Sequence, residues 1–265
     1  MADRHNIDVM GDKGSTKRPK GSPRSAVGLT LVPSVDRQLD DNILGTMRAA
    51  ALGADRENCT SVLDRALAAG IARDDIADFY IPELAREMGV DWCEDTLSFA
   101  SVTIGVSRLQ AMLRALGPEW AGDQSANPAA PSIMLIVGQD VYHTLGAMVL
   151  GGQLRRKGLS VRLMLGAQNH ELAEKLAKTR YDAVFISSSL GETLESLRRI
   201  VDVVRKSCKT SLPVVIGGTI LETETLYDVM SLTGADYATS FPNEALELCG
   251  LTTKYLKIAP NLREV

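Results

Sequence analysis

His143 is the residue of this chain that is best placed to hold a transition metal. It follows an apolar segment over 133–138, which is typical of a parallel strand buried on both faces. A helical pattern begins directly afterwards, at Thr144. The histidine therefore lies in a strand-to-helix loop at the carboxyl edge of a sheet, where open α/β folds bind ligands. A neutral imidazole in such a loop either coordinates a metal or only packs and forms hydrogen bonds.

Small and polar residues recur downstream, at the ends of the next predicted strands. Ser188 ends one strand and can offer its hydroxyl to a buried ligand, and two glycines end the following strand and let the backbone come close. A glycine pair on its own is equally typical of an ordinary strand-to-helix turn. Intervals of 41 residues (147–187) and 26 residues (191–216) separate three motifs: His143-x-x-Gly146, Ser188-x-Leu190 and Gly217-Gly218.

The three motifs in this register resemble the cobalamin-binding family. The resemblance implies that His143 is an axial ligand of cobalt and that the later motifs border a slot for the nucleotide tail of the cofactor. The family pattern places an aspartate two residues before the histidine, where it orients the imidazole. Here Val141 holds that position, and Asp140 lies one residue earlier.

The part of the chain that carries these motifs alternates strands and helices. Five strands joined by helical crossovers predict a doubly wound parallel sheet of the flavodoxin-like type. The predicted strands are 133–138, 160–165, 183–188, 213–217 and 236–240. The predicted helices are 144–157, 170–180, 191–207, 222–232 and 242–256.

An all-helical segment precedes the predicted sheet. Its helices are expected at 37–52, 56–70, 74–88 and 93–116, with breaks at Gly53, Gly70 and Gly89. The last helix has an apolar face at alternating spacings of three and four, which predicts a helix packed in a bundle. That face consists of Phe99, Val102, Val106, Leu109, Leu113 and Leu116.

Composition sets the expected domain boundaries. Residues 1–35 read as a disordered tail, in which 1–26 carry six basic and three acidic side chains. A linker rich in Ala, Pro and Gly is expected over 119–132. The predicted domains are therefore a helical bundle at 36–118 and an α/β domain at 133–257, followed by a C-terminal tail at 258–265.

The overall composition excludes several function classes. A net charge of −4 argues against a folded surface built mainly to hold nucleic acid, and the sequence has no signal-peptide pattern and no run long enough to span a membrane. We therefore expect a cytoplasmic protein without a membrane partner. The four cysteines lack zinc spacing and read as incidental thiols, with redox sensing as the alternative. No combination of nucleophile, base and acid accompanies the motifs, so we predict a binding protein rather than an enzyme.

A second resemblance narrows the family. The segment 92–110, which begins Trp-Cys-Glu-Asp-Thr-Leu-Ser-Phe, and the segment 142–146, Tyr-His-Thr-Leu-Gly, resemble the AerR/PpaA group of photosynthetic proteobacteria, which are cobalamin-binding antirepressors of photosynthesis genes. The similarity covers about residues 36–257. It implies the following cofactor-binding residues: His143, Thr144, Gly146, Ser188, Leu190, Gly217, Gly218, Trp92 and Phe99.

The same resemblance implies a mechanism. The helical bundle would cover the upper face of the corrin, with Trp92 and Phe99 as aromatic lids or, alternatively, as plain bundle core. Light would convert adenosylcobalamin to the hydroxo or aquo form that this group prefers. The expected partner is a DNA-binding transcriptional repressor, so that DNA is reached only through that partner. Two alternatives remain at this point, a corrinoid methyl carrier for a methyltransferase and a haem-binding redox sensor of the same architecture.

Overall fold

A computed structural model of the protein describes residues 38–53, 57–117, 130–139, 143–208 and 210–251. The predicted tails at 1–35 and 258–265, and most of the predicted linker, lie outside these residues. Among the described residues, none of the helices combines the length and the apolar character needed to cross a membrane.

The N-terminal half is helical and has its own buried core. The core collects the apolar sides of the helices, and its fully buried members include Leu84, Met88 and Leu113. Asp40 caps the first helix by accepting hydrogen bonds from the backbone N–H groups of Asn42 and Ile43. The helices are α1 (Asp41–Leu52), α2 (Glu57–Ala68), α3 (Arg73–Asp75, a π-helical turn at Ile76–Tyr80, and Ile81–Cys93) and α4 (Phe99–Leu116).

Two predicted boundaries in this half are wrong. Gly89 does not end a helix but is buried within α3, which continues to Cys93. The next helix begins at Phe99 rather than at residue 93, because the Ser98 side chain caps it by accepting from the backbone N–H of Ser101 at 3.1 Å. A turn between α3 and α4 therefore separates Trp92 from Phe99.

The C-terminal half is a five-stranded parallel sheet flanked by helices on both faces, and the predicted fold class is confirmed. The strand order is β2-β1-β3-β4-β5, the order of flavodoxin-like doubly wound sheets. The strands are β1 (Ser132–Val137), β2 (Ser160–Leu165), β3 (Ala183–Ser188), β4 (Val214–Gly218) and β5 (Tyr237–Ala238). The helices are α5 (Leu145–Arg156), α6 (Asn169–Lys178), α7 (Leu194–Ser207), α8 (Leu226–Thr233) and α9 (Pro242–Leu248).

Side-chain caps explain where the structure departs from the predicted helix bounds in this half. Helix α7 begins at Leu194 rather than at residue 191, because Thr193 accepts from the backbone N–H of Ser196. The helix predicted over 222–232 is instead a 3₁₀ turn at Thr219–Glu222 followed by α8, which Thr225 caps. Within the described residues α9 ends at Leu248, well before the predicted residue 256.

Helix α5 joins the two halves. The sheet faces α5 and α9 on one side and α6, α7 and α8 on the other. One side of α5, including Ala147 and Leu154, packs on the sheet, whereas Leu145, Met148 and Val149 belong to the core of the bundle. Apolar residues therefore surround most of this helix, as expected for one that is buried on two sides.

Candidate functional site

The strand order creates a crevice at the carboxyl edge of the sheet. The connection after β1 runs toward β2 and the connection after β3 runs toward β4, so the two loops diverge at this point. Ligands of open α/β folds bind at such a switch point. His143 comes from the first loop, and 187–189 come from the end of β3 and the start of the second loop; both segments line one cleft.

The cleft lies between the sheet and two helices. It holds about 940 Å³ of space that protein atoms do not fill, a volume that includes the solvent at its open mouth. Helix α5 forms one wall and α9 forms the other. The wall residues are Gly146, Leu150 and Gln153 on α5, and Pro242 and Ala245 on α9.

The floor of the cleft is apolar. Leu135, Phe185 and Val215 lie on three neighbouring strands, where Leu135 pairs with Phe185 and Phe185 pairs with Val215. Alternate residues of a strand share a face, so Ser187 and Gly217 continue this floor toward the edge of the sheet. A flat apolar group could lie on this floor with a hydroxyl near its outer end.

His143 lies at the mouth of the cleft. Its side chain remains exposed to solvent, but the protein atoms around the imidazole desolvate it and lower the pKa of His143 below its ordinary 6.5. The imidazole is therefore neutral at physiological pH, which is the form that coordinates metals. Residues 140–142, including the predicted neighbour Asp140, lie outside the described residues.

Ser188 and the two glycines also line the cleft, and the sheet itself requires them. The Ser188 hydroxyl donates a hydrogen bond of 2.8 Å to the backbone carbonyl of Gly217. A Cβ on Gly217 would lie 2.7 Å from the Thr239 carbonyl oxygen, and one on Gly218 would overlap the Ser188 backbone. The close approach that these glycines permit is therefore between strands, besides any approach to a ligand.

Two predicted site residues contact other parts of the protein instead of lining the cleft. Thr144 accepts a hydrogen bond of 2.8 Å from the side-chain amide of Gln110 on α4. The backbone N–H of Leu190 donates to the Thr219 hydroxyl at 2.9 Å, which ties the loop after β3 to the loop after β4. Both residues hold the loops around the cleft in place.

Trp92 and Phe99 form an aromatic pair on the bundle, away from the lining of the cleft. Their ring centroids are 6.0 Å apart at an interplanar angle of 55°. Phe99 is 69% exposed, so its prediction as part of the buried face of α4 is wrong. Phe99 lies two turns, or about 10 Å, before Val106, which lines the cleft from the same side of α4. The pair therefore lies on the same side of the bundle as Val106 but does not line the cleft.

Sequence reasoning missed several residues that line the cleft. Ser187 carries a hydroxyl on the floor, and the alternation of side chains along β3 could have identified it beside Phe185. Gln153 follows Gly146 by seven positions, a spacing that places both on one side of α5. Thr239 and Phe241 both follow the short strand β5, in a segment that the sequence predicted in part as strand and without a site residue.

The comparisons with known proteins agree with this geometry. The model of the B12 binding domain matches residues 131–245, and the match includes every part of the cleft that belongs to the sheet, α5 and α9. An uncharacterised 20.5 kDa protein of Rhodobacter capsulatus, from the bchF-crtJ intergenic region, is 34% identical over 179 residues, 68% of this chain and 92% of that protein. The chain belongs to the B12-binding domain family.

A second relative in this family is a regulator. The HTH-type transcriptional repressor CarA of Myxococcus xanthus is 33% identical over 167 residues, 62% of this chain. The match spans 53% of CarA, about half of its length.

Two solved structures match most of the chain at low TM-scores. A cobalamin-binding protein from Desulfitobacterium hafniense DCB-2 is 18% identical with a TM-score of 0.36, covering 80% of this chain and 98% of that one. The methanol:cobalamin methyltransferase complex MtaBC from Methanosarcina barkeri is 15% identical with a TM-score of 0.40, covering 93% and 92%.

The residues present suit a B12 cofactor. Within the described ranges, no three histidine, cysteine or acidic side chains lie close enough together to hold a metal ion. The lining of the cleft contains one imidazole, that of His143. A single protein ligand is enough for cobalamin, because the corrin ring brings four nitrogen ligands of its own. The apolar floor beneath His143 suits the flat base that ends the nucleotide tail.

Proposed function

We propose that this protein is a cobalamin-binding, light-responsive transcriptional regulator that acts as an antirepressor of photosynthesis genes. The observation that carries the proposal is the cleft at the switch point of a B12-binding domain, with His143 at its mouth and an apolar floor behind it. Bound cobalamin would supply a photolabile cobalt–carbon bond, which makes the protein a photoreceptor.

The residues of the cleft take distinct roles in this proposal. His143 would coordinate the cobalt, and the cleft would take the flat base that ends the nucleotide tail. That base would rest against Phe185 and Val215 on the floor, with the hydroxyl of Ser187 near it and Ser188 beside it at the end of β3. Thr144, Gly146, Leu190, Gly217 and Gly218 shape the loops and walls around it.

The aromatic pair belongs to the upper side of the site. Trp92 and Phe99 lie on the same side of the bundle as Val106, and in this proposal they face the side of the corrin opposite His143. A bulky adenosyl group would compete with these rings for the same space. The hydroxo or aquo form, produced from adenosylcobalamin by light, is therefore the form that the protein retains.

The proposed partner is a DNA-binding repressor. CarA is named as a transcriptional repressor, and the name of the Rhodobacter capsulatus relative places it in a photosynthesis gene region. These names support a regulatory role for the shared domain. The helical half of this chain is the surface that we propose for the contact, so that DNA is reached only through the repressor.

Absorption spectra of the purified full chain test the proposal. The protein is mixed with adenosylcobalamin, in darkness or after illumination, or with hydroxocobalamin, and is then desalted. We expect corrin bands to remain after illumination and with hydroxocobalamin. His143→Ala should lose them, whereas the matched control His170→Ala, an exposed histidine at the start of α6, should keep them.

Each other outcome contradicts a defined part of the proposal. Retention of the alkyl cofactor in darkness would indicate a methyl carrier, which transfer of a methyl group to a thiol would then establish. A Soret band without corrin bands would indicate a haem sensor. Undiminished corrin retention by His143→Ala would show that the axial ligand lies elsewhere.

A further inference from the structure

Gln153 lines the cleft and also lies beside an acidic residue of the helical bundle, Asp78. It lies on α5 about 12 Å from Leu145 along the helix axis, at the inner end of the wall. Its amide approaches the carboxyl of Asp78, which belongs to the π-helical turn of α3. One residue therefore touches both the place for the cofactor tail and the helical half.

Asp78 is held at the boundary between the two halves by a partly buried ion pair. Its Oδ2 accepts from the guanidinium of Arg156, the last residue of α5, and the two side chains are 17% and 20% exposed. Asp74, one turn earlier and 57% exposed, lies 3.4 Å from the same guanidinium. The pair fixes the carboxyl of Asp78 beside the inner end of the cleft.

The second carboxyl oxygen of Asp78, Oδ1, lacks a hydrogen bond among the described residues. Oδ1 is buried and has no well-aligned hydrogen-bond partner among the described residues. Burial raises the pKa of Asp78, and the pairing with Arg156 and the nearby amide of Gln153 lower it in part. The Gln153 amide therefore lies near the carboxyl, while Oδ1 is left without a hydrogen bond among the described residues.

We propose that Gln153 is a positioning residue that transmits occupancy of the cleft to the bundle through Asp78. The inference rests on the proposed function, since the occupant is the nucleotide tail of cobalamin. A base lying between Leu150 and Phe185 excludes water from the Gln153 amide and leaves Oδ1 of Asp78 as its available acceptor. The hydrogen bond then aligns, and it is stronger in a site without water.

The coupling works in both directions. If the tail strengthens the contact between Gln153 and Asp78, the same contact must strengthen binding of the tail by an equal factor. Coupling of this kind is commonly about 5- to 150-fold in affinity. Loss of the amide should therefore weaken binding of hydroxocobalamin about fivefold or more and remove the response of the bundle.

Hydrogen–deuterium exchange of the full chain measures that response. Hydroxocobalamin should slow amide exchange over 73–93, the span of α3. Cobinamide, which has the corrin ring but no nucleotide tail, should leave exchange in α3 unchanged even where its corrin bands are retained. Equal slowing by both probes would overturn the proposal, because the corrin alone would then account for it.

Two variants and a matched control complete the test. Gln153→Met keeps the length of the side chain but cannot donate, so it should bind hydroxocobalamin about fivefold or more weakly. At a cofactor concentration that saturates the variant, its α3 should show no slowing of exchange. Asp74→Asn is the matched control, because it changes the other carboxyl that lies beside the Arg156 guanidinium. Its α3 should show the same slowing of exchange with hydroxocobalamin as the native chain. Slowing in Gln153→Met equal to that of the native chain would overturn the proposal.

A further variant keeps the test decisive if Gln153→Met binds no cofactor. Asp78→Ala removes the acceptor for the Gln153 amide but leaves the lining of the cleft intact, so it should bind hydroxocobalamin with a reduced response in α3. A native response in Asp78→Ala would overturn the coupling. Failure of the proposed function is distinguishable from all of these results, because the native chain itself would then retain no corrin bands.

Discussion

The glycines at the carboxyl edge of the sheet can be explained either by ligand binding or by the packing of neighbouring strands. The pair at 217–218 fits a ligand site by its motif, yet the structure shows that neighbouring backbone already occupies the space where a Cβ would lie. A bulky residue at Gly217 would therefore disturb the sheet as well as the cleft. Ser187 is a better position for blocking the cleft, because its side chain already lies on the floor.

Replacement of Gly218 by alanine should destabilise the protein far more than the same change at Gly191. Both residues have positive φ, 106° and 94°, but only the Cβ at 218 would overlap the Ser188 backbone. We expect a loss of about 1–2 kcal/mol in the free energy of unfolding for Gly191→Ala. For Gly218→Ala we expect about 3 kcal/mol or more, because steric overlap adds to the strain. Urea denaturation measures both, and equal losses would contradict this account.

Cys249 should react very slowly with alkylating reagents in the folded protein. Burial and the Asp236 carboxylate raise the pKa of the Cys249 thiol to about 12. The thiolate is the reactive form, so at pH 8 its population is about a thousandfold below that of a free cysteine. Iodoacetamide labelling followed by peptide mass analysis, with the unfolded chain as control, measures the rate. Equal rates in the folded and unfolded chains would revive a redox role for this cysteine.

Helix packing in the bundle depends on one small residue of α4. A Cβ on Gly105 would lie 2.7 Å from the Sδ of Met88 and 3.2 Å from Leu52, both on neighbouring helices. Gly105 therefore sets how closely α1, α3 and α4 approach. Gly45 on α1 is exposed and has nothing within 4 Å of such a Cβ.

Substitutions at these two glycines should have opposite effects on stability. Gly45→Ala should raise the free energy of unfolding by about 0.5–1 kcal/mol, because alanine loses less backbone entropy in a helix. Gly105→Val should lower it by about 1–3 kcal/mol through overpacking. Thermal and urea denaturation of the two variants test the pair, and a stabilising Gly105→Val would show that the bundle has room to spare.

Periodic patterns predicted the elements well, and local capping decided where the predictions failed. The run at 133–138 and the later strands were found because a buried parallel strand is continuously apolar. Gly89 misled the prediction, because a helix whose glycine is buried among neighbours does not need to end there. Phe99 fits the apolar period of α4, but it belongs to the first turn, where it contacts Trp92 and most of its side chain stays exposed. The proposed role of Gln153 could not be recognised from the sequence, since it depends on Asp78, 75 positions earlier.

The molecule as a whole should show a pH-dependent contribution from the boundary between its halves. Burial raises the pKa of Asp78 above its ordinary 3.8, so the folded state holds this proton more tightly than the unfolded state does. The contribution of Asp78 to stability is therefore greatest below pH 3.8 and falls as pH rises toward its folded pKa.

Comparison with Asp78→Asn isolates this contribution, since the amide does not titrate and the raised pKa of Glu87 and Glu192 acts equally in both proteins. The native chain should gain stability relative to the variant when the pH is lowered from 7 to 4.5. Urea denaturation at both values measures the difference. A constant difference would show that Asp78 is not the group that titrates.

Helix α5 has a consequence for how this chain can have been assembled. Leu145, Met148 and Val149 are part of the bundle core, although the helix that carries them follows the linker and leads to β2. A recombination event at the linker would separate these side chains from the partners they pack against. Chimaeras between related regulators should therefore fold only when they exchange the helical half together with α5, or the whole of 38–251. The segment that must be exchanged as one piece is larger than either half.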